Sequence, residues 1–537
     1  AKDKLTYNRN FEGIARKLEK AVAARADDET AEEEKNAYTK YFNYQPCEQC
    51  GGTRLNERAR NVRLNGLTIA EVCHMELVDL LPFLLDIDDE ISKPILRKAQ
   101  FLLQQLIEIG VGYLSLERAV GTLSGGESQR VKMSKQMDCN LVDMLYVLDE
   151  PSIGLHPRDT ENLMNILFRL KDKGNSVFVV EHDPDIIRAA EWIIDIGPKA
   201  GKYGGQVVYN GEPEGLHRVE SITGDYLLKK GKPTYQRKLG TSFFEIKNAN
   251  SNNLKNVSCR IPRGVLTCIT GVAGSGKSSL IHECFAKQHP DAIVIDQSSI
   301  GKSSRANAAT YIGVFDLIRK EFAAATHADA SLFSFNSKGA CPKCNGQGVL
   351  TFELHFLDSV KTACDECEGK RYHSEVLELK FKDKNIADVL DMTVTQAAEF
   401  FESSKIKKHL LLLQEVGLGY LKLGQSLSTL SGGESQRLKI ATELKKEGNI
   451  YIMDEPTTGL HMSDIDNFYR IVKTLVKNDN TVIIIEHNLD IIKFADWIID
   501  LGPEGGKKGG EVIFQGLPED LVNCEQSMTG KYLKKVI

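Results

Sequence analysis

The sequence predicts a duplicated α/β fold, with two copies of a parallel-sheet domain following one another along one chain. Three observations predict it. The octapeptide LSGGESQR occurs twice, at 123–130 and again at 430–437. Short apolar runs that end at charged residues alternate with stretches of helical periodicity, the pattern of buried parallel strands and their crossover helices. Finally, GVAGSGKSS at 271–279 follows one such run and precedes a helix-compatible stretch, the setting a phosphate-cradling glycine loop requires.

The repeat sets the register of the halves. Leu123 matches Leu430, an offset of 430 − 123 = 307. LDEPSIGLH at 148–156 matches MDEPTTGLH at 453–461, VVEHD at 179–183 matches IIEHN at 484–488, and WIIDIGPKAGKYGG from Trp192 matches WIIDLGPEGGKKGG from Trp497, all at an offset of 305. Residues 1–230 and 241–537 are therefore homologous halves, and the polar stretch GKPTYQRKLG at 231–240 reads as their linker. Subtracting 305 from Lys277 gives −28, so the first half starts downstream of where its own glycine loop belongs. With an opening AKDKLTY that lacks an initiator Met, the expectation is a piece of a longer protein.

Length and composition bound the class. A chain of 537 residues exceeds one ordinary core, and 42% apolar with 26% charged residues is a globular composition. No apolar run approaches the ~18 residues that cross a membrane, and no secretory signal opens the sequence. The expected compartment is the cytoplasm, without a membrane partner. A net charge of −6 makes the whole molecule no electrostatic magnet for nucleic acid, so such contact needs a local basic surface.

In chain order, residues 1–120 form an insertion region. It contains the acidic run DDETAEEEK at 27–35, a solvated helix face, and the pair Cys47/Cys50. Residues 121–230 are the C-terminal part of the first α/β domain: LYVL closes on Asp149, SVFVV closes on Glu181, and LMNILFRLKDKG at 163–174 has a helical period closed by Gly. After the linker, 241–325 carry the glycine loop behind the strand VLTCIT. A cysteine module at 326–375 and a second helical region at 376–425 follow. In 426–537, IYIM closes on Asp454, TVIII closes on Glu486, and FYRIVKTLVKN at 468–478 is helical.

The chemistry sits where these runs end. Gly271, Gly274 and Gly276 let the loop curl so that its N–H groups face phosphate oxygens. Lys277 reaches the β- and γ-phosphates, and Ser278, with Ser279 beside it, offers a hydroxyl to Mg²⁺. Asp454 stands at the carboxyl edge of the sheet, where Mg²⁺ is held. Glu455 can orient and activate water, His487 can sense a γ-phosphate, and Gln297 can contact metal or water. Asp149, Glu150 and His182 are the first-half counterparts. In LSGGESQR the glycines allow close backbone approach, and the serine plus a helix N-terminus form a second anion site. It lies over a hundred residues from the glycine loop, so it makes sense as a cap on nucleotide held by the other half.

Chains that pair such a signature with such a loop resemble ATP-binding-cassette ATPases. The resemblance implies two tandem P-loop cassettes with inserted helical signature domains and zinc-binding modules. It implies that Ser124, Gly125 and Gly126 cap ATP on Lys277, and that Ser431, Gly432 and Gly433 cap ATP on a first P-loop upstream. The zinc reading rests on CPKCNGQGVLTFELHFLDSVKTACDEC. Its C-x₂-C-x₁₉-C-x₂-C spacing makes Cys341, Cys344, Cys364 and Cys367 a closed tetrahedral Zn²⁺ site. Cys47 and Cys50 are half of such a site; their partners lie upstream of residue 1 or they are free thiols.

With QPCEQCGGTRL, YIGVFDLIRKEF, FSFNSKGACPKC, NIADVLDMTV and DEPTTGLH added, nearly the whole chain resembles the UvrA family of the excinuclease ABC system. That resemblance implies an ATP-hydrolysing, dimeric protein of nucleotide excision repair and the SOS response. It would bind damaged double-stranded DNA and load UvrB without itself being a nuclease. Only twenty positions run from Lys277 to Gln297, a compactness that resembles UvrA-like paralogues, some linked to self-resistance against DNA-binding drugs. A soluble twin-cassette ATPase of the ribosome would share the ATP chemistry but have no need of the cysteine module. Lys338, Lys343, Lys361, Lys370 and Arg371 surround the zinc ligands as a candidate phosphate-contacting strip.

Overall fold

A computed structural model describes residues 47–123, 125–137, 142–198, 204–228, 237–296, 305–354, 357–444 and 449–537. Ser124, Gln297 and the acidic run at 27–35 lie outside the described residues. The chain divides into two compact units, Ala1–His74 and Met75–Ile537.

In the first unit the described part begins with the Cys47/Cys50 turn, closed by Gly51 N donating to Cys47 O at 2.7 Å. Helix Glu57–Asn61 follows, capped by Asn56. A hairpin of Arg63–Leu64 with Leu67–Thr68 leads into helix Ile69–His74.

The second unit holds both α/β halves. In the first, helix α1 (Gly125–Met137) precedes β1 (Leu145–Asp149), and α2 (Pro157–Asp172) leads to β2 (Ser176–Val180), parallel to β1. Beyond them β3 (Ile193–Gly197) pairs antiparallel with β4 (Gln206–Gly211). Among the described residues nothing joins β2 to β3.

The second half supplies the missing comparison. An antiparallel pair, β5 (Phe243–Ala249) and β6 (Val257–Pro262), precedes β7 (Leu266–Gly271) and β8 (Ile293–Ile295). The hairpin β9 (Val349–Leu354) and β10 (Leu357–Ala363) carries the cysteine module. Helix α3 (Gly432–Glu443), β11 (Ile450–Asp454), α4 (Met462–Lys477), β12 (Thr481–Ile485), β13 (Trp497–Gly502) and β14 (Glu511–Gly516) complete it. The six-stranded sheet runs β8-β11-β12-β7-β13-β14, parallel but for β14.

Runs such as TVIII form strands because β-branched side chains fit a sheet buried on both faces. Alternate residues enter different cores: Val482 and Ile484 pack with the helical side, Ile483 and Ile485 with the β5–β6 side.

By the offset of 305, β1, β2, β3 and β4 correspond to β11, β12, β13 and β14. The counterpart of β7 falls in the gap between β2 and β3. Phe178 and Val180 are 55% and 53% exposed, whereas Ile483 and Ile485, packed toward β5–β6, are 0% and 1%.

At the described end of the linker, Arg237 and Lys238 are fastened to the second half. Arg237 Nε donates to Glu519 Oε1 at 3.0 Å and Nη2 to Lys493 O at 3.3 Å, and Lys238 N donates to Asp496 Oδ1 at 2.9 Å. Among the described residues no helix is long and apolar enough to cross a membrane.

Candidate functional site, a composite of two halves

The glycine loop emerges from β7 with Gly271, Gly274 and Gly276 all at positive φ, a backbone that side-chain-bearing residues resist. Lys277 is buried, and its Nζ donates to Gly271 O and Val272 O at 2.9 Å each. Burial lowers its pKa to about 8, against the pull of the Glu455, Asp454, Asp159 and Asp500 carboxylates. Ser279 Oγ accepts from Asn252 Nδ2 at 3.0 Å. Ser278 opens the following helix, whose first stretch, Ser279–Phe285, is π-helical.

Asp454 ends β11, and its Oδ2 lies 3.3 Å from His282 Nε2 on that same helix. Hydrogen bonding to Asp454 raises the His282 pKa despite burial. Glu455 follows in a left-handed conformation, φ 45°, matched by Glu150 at φ 44° in the first half. Such a backbone costs about 1–3 kcal/mol unless surrounding contacts impose it. Here they do: Glu455 N continues the sheet ladder to Ile485 O, and Glu150 N to Val180 O, each at 2.9 Å.

His487 lies two residues beyond the end of β12, with 7% exposure. Burial and the nearby Lys277 hold its pKa well below the usual value, so the ring is neutral. The glutamate before it is a backbone strap: Glu486 Oε2 accepts from His487 N at 2.6 Å and Asn488 N at 2.9 Å. Glu181 holds His182 N and Asp183 N in the same way, at 2.9 and 3.0 Å.

The other half closes over this loop. A Cβ placed on Gly274 would lie 2.7 Å from Tyr113 Cδ2, so the Tyr113 ring rests on the loop backbone. Tyr113 Oη donates to Glu127 Oε1 at 2.6 Å, and Glu127 belongs to the first LSGGESQR. Arg158 Nη1 reaches Glu504 Oε2 at 2.8 Å beside the Tyr113 contact with Gly505. The first-half signature helix, carrying Gly125 and Gly126, is thus tied to the second-half glycine loop through one tyrosine.

The signature's two glycines serve different ends. A Cβ on Gly432 would meet nothing within 4 Å, whereas on Gly433 it would stand 2.8 Å from Thr458 O. Gly126 repeats this against Ile153 O at 2.7 Å. The second glycine is therefore required by packing on the loop after the strand-ending carboxylates. Ser431 Oγ accepts from Glu434 N at 3.2 Å and Ser431 N donates to Glu434 Oε2 at 2.8 Å, a reciprocal cap.

Those loops cross between halves. A Cβ on Gly154 would lie 2.7 Å from Glu455 Oε2, and one on Gly459 would lie 3.3 Å from Glu150 Oε2. The second constellation, Asp149, Glu150 and His182, mirrors the first: His182 Nε2 stands 3.6 Å from Glu150 Oε1, as His487 Nε2 stands 4.0 Å from Glu455 Oε1. Burial raises the Glu150 pKa, opposed by His182. Residue types alone did not single out Tyr113, Gly154, His156 or His282. Two signals exist in the sequence: GLH recurs after both DEP motifs, and GYL recurs before both signatures, matching Tyr113 with Tyr420.

In the cysteine module the ligand atoms of Cys341, Cys344, Cys364 and Cys367 lie within 4.8 Å of one another, all buried. Cys344 Sγ and Cys367 Sγ are 3.6 Å apart, close to the ~3.8 Å edge of a tetrahedron built on Zn–S bonds of ~2.3 Å. Gly348 N–H donates to Cys344 Sγ at 3.2 Å. The donor set fits Zn²⁺. Around Cys47/Cys50 no third ligand gathers among the described residues, although backbone N–H groups of Arg54 and Gly52 lower the Cys50 pKa.

The basic strip is largely paired. Lys338 lies 3.5 Å from Asp329, Lys343 2.7 Å from Asp365 and Lys370 3.2 Å from Glu368. The Arg371 guanidinium sits 5.4 Å over the Phe335 ring. Lys361 is on β10, its side chain outside the described residues.

Comparison with known proteins places this arrangement. The family described as ABC transporter matches residues 254–458. The crystal structure of UvrA2 from Deinococcus radiodurans superposes with a TM-score of 0.90 at 39% identity, covering 98% of this chain and 70% of that one. The chain belongs to the UvrA family. UvrABC system protein A of Staphylococcus aureus (strain COL) is 45% identical over 569 residues, 98% of this chain and 60% of that protein. The same-named protein of Clostridium perfringens (strain 13 / Type A) is 45% identical over 574 residues, 99% and 61%. The chain therefore spans about 60% of the length of these curated UvrA relatives.

Proposed function

We propose that this chain is the larger part of an ATP-hydrolysing, DNA-binding component of nucleotide excision repair, acting on damaged double-stranded DNA as a homodimer and handing it to a UvrB-type partner. It binds no membrane, works in the cytoplasm and cuts no DNA itself. The observation that carries the reading is the closure of one half on the other half's glycine loop through Glu127, Tyr113 and Gly274. The names of the relatives put repair ahead of drug self-resistance and ribosomal action.

In this reading Lys277 exchanges its two carbonyl partners for β- and γ-phosphate oxygens, and Gly271, Gly274 and Gly276 shape the N–H cradle. Ser278 and Asp454 would hold Mg²⁺, which would neutralise phosphate charge there, with Ser279 beside Ser278, and Gln297 would contact the metal or water. Glu455 orients the attacking water, His487 contacts the γ-phosphate, and Ser124, Gly125 and Gly126 cap the nucleotide from the other half. Glu150, His182 and Asp149, with Ser431, Gly432 and Gly433, do the same at a first site. Cys341, Cys344, Cys364 and Cys367 hold structural Zn²⁺, and Cys47 and Cys50 give half of another site.

Lys338, Lys343 and Lys370 offer phosphate contacts once their carboxylate partners are exchanged, and Lys361 and Arg371 extend the strip. The domain boundaries given above complete the proposal.

Fluorescence anisotropy with the full-length protein tests it. Damaged duplex should bind tighter than undamaged, with affinity falling steeply between two salt concentrations and changing with nucleotide state. Glu455→Gln should bind ATP and not turn it over. Equal, negligible affinity for both duplexes would defeat the repair reading.

A further inference from the structure

Each half places a histidine two residues after the glycine that meets the opposite glutamate. His156 is 1% exposed. Its Nδ1 accepts from the backbone N–H of Arg158 at 3.2 Å, so the ring hydrogen resides on Nε2. Nε2–H then donates across the interface to Thr529 Oγ1 at 3.3 Å, and Thr529 donates onward to Asp500 Oδ1 at 3.0 Å. Asp500 is held in turn by Thr270 Oγ1 and Ser527 Oγ, each at 2.6 Å. Thr270 immediately precedes Gly271 of the glycine loop.

The fixed His156 ring meets His487 edge-on, with centroids 5.9 Å apart and planes at 87°. His487 Nδ1 is buried without a hydrogen-bond partner among the described residues. The orientation of the His487 ring is therefore set by what it packs against, and His156 is one such wall.

The other interface repeats the design. His461 Nδ1 accepts from Ser463 N at 3.2 Å, its Nε2 lies 3.1 Å from Thr223 Oγ1, and Thr223 donates to Asp195 Oδ1 at 3.0 Å. His461 meets His182 at 5.8 Å and 84°. The same four side-chain types in the same order occur twice, on flanking sequences as different as SIGLHP and TTGLHM. A packing accident would not be kept in duplicate.

We propose that His156 and His461 are positioning residues. Each is locked by the Thr–Asp pair of the opposite half and orients that half's His487 or His182, so that alignment at each nucleotide site depends on the two halves being closed. This rests on the ATP-hydrolysis reading above. It predicts that loss of the lock lowers kcat without changing ATP binding.

The test uses the full-length protein in a Glu150→Gln background, so that turnover reports the Lys277 site. His156→Ala and Thr529→Val should each lower kcat by roughly tenfold or more, since a displacement of about 1 Å at a reacting centre costs up to ~10²-fold. KM for ATP should stay within about twofold, and Thr529→Ser, which keeps the hydroxyl, should retain parental kcat. A double-mutant cycle carries the decision: His156→Ala added to His487→Ala should cost nothing further. Should His156→Ala fail to fold by thermal melting, Thr529→Val replaces it in the cycle. Strictly additive losses, or a folded His156→Ala with parental kcat, overturn the inference while leaving hydrolysis intact. A parent without turnover overturns the hydrolysis reading itself.

Discussion

Gly154→Ala and Gly459→Ala are nearly matched in backbone and differ in what they push. Both glycines adopt left-handed conformations, φ 65° and 66°, so alanine at either costs about 1–2 kcal/mol in backbone strain. At Gly154 the new methyl would stand 2.7 Å from Glu455 Oε2, about 0.7 Å inside ordinary contact. At Gly459 it would stand 3.3 Å from Glu150 Oε2, nearly at contact. A carboxylate at the end of a side chain can retreat, so the difference in stability is small. The difference in turnover is not: if Glu455 orients the water as proposed, a shift of ~0.7 Å there is worth about 10- to 100-fold. In full-length Glu150→Gln protein, steady-state ATPase should therefore fall by that factor in Gly154→Ala and by less than about threefold in Gly459→Ala, with melting temperatures lowered alike. Equal kcat in the two alanine variants would refute the contact as a determinant of catalysis.

Other consequences are direct. Cys364→Ser should bind one zinc fewer per chain than the parent by metal analysis, because the remaining three thiols no longer close the tetrahedron. Arg237→Ala should lower stability by ~2 kcal/mol in denaturant unfolding, having left carbonyl acceptors at Lys493 and Ala495 without their charged donor. The buried His156 ring has its pKa lowered from 6.5 to about 3. Between those values the unfolded chain takes up a proton that the folded chain refuses, so folded-state stability falls as pH drops below 6.5. The stability deficit of His156→Gln relative to the parent should accordingly shrink by about 1.4 kcal/mol per pH unit of acidification; a deficit independent of pH from 6.5 to 4.5 would contradict the buried neutral ring.

What the sequence made legible was local. The glycine loop, the strand-ending carboxylates, the two signatures and the four cysteines are each a short motif whose spacing nearly dictates its geometry. Strand positions followed from apolar runs buried on both faces, and TVIII and SVFVV became strands in both halves. The helices began earlier than their periodicity implied, at Pro157 and Met462, because His156 and His461 cap them. The cross-half contacts were not legible. Gly154 against Glu455, Tyr113 on Gly274 and His156 against His487 join residues separated by hundreds of positions, and no local pattern encodes which face meets which. The role of the glutamate in each E-H pair was not legible either: Glu181 and Glu486 each collect three backbone N–H groups, a fastening that only the chain path reveals.

The two composite sites are homologous yet unequal, and the inequality has a structural cause. The His487 side chain is 7% exposed and that of His182 is 35% exposed. The first lies beside a complete sheet, with β7 between β12 and β13; the second lies at the end of β2, where the corresponding position is a gap among the described residues. Charges in a water-excluded site interact several-fold more strongly than the same charges near solvent. The glutamates share one level of exposure, 24% for Glu455 and 25% for Glu150, so the difference between the sites rests on the seclusion of His487 and the buried Lys277. Phe178 and Val180 stand exposed where Ile483 and Ile485 are packed toward the β5–β6 layer, so the two halves differ in the layer over this face as well as in the neighbouring strand. The exposure of His182 is thus part of a wider difference: the second half packs its layers around the strand ends, whereas among the described residues the first half leaves the same face open.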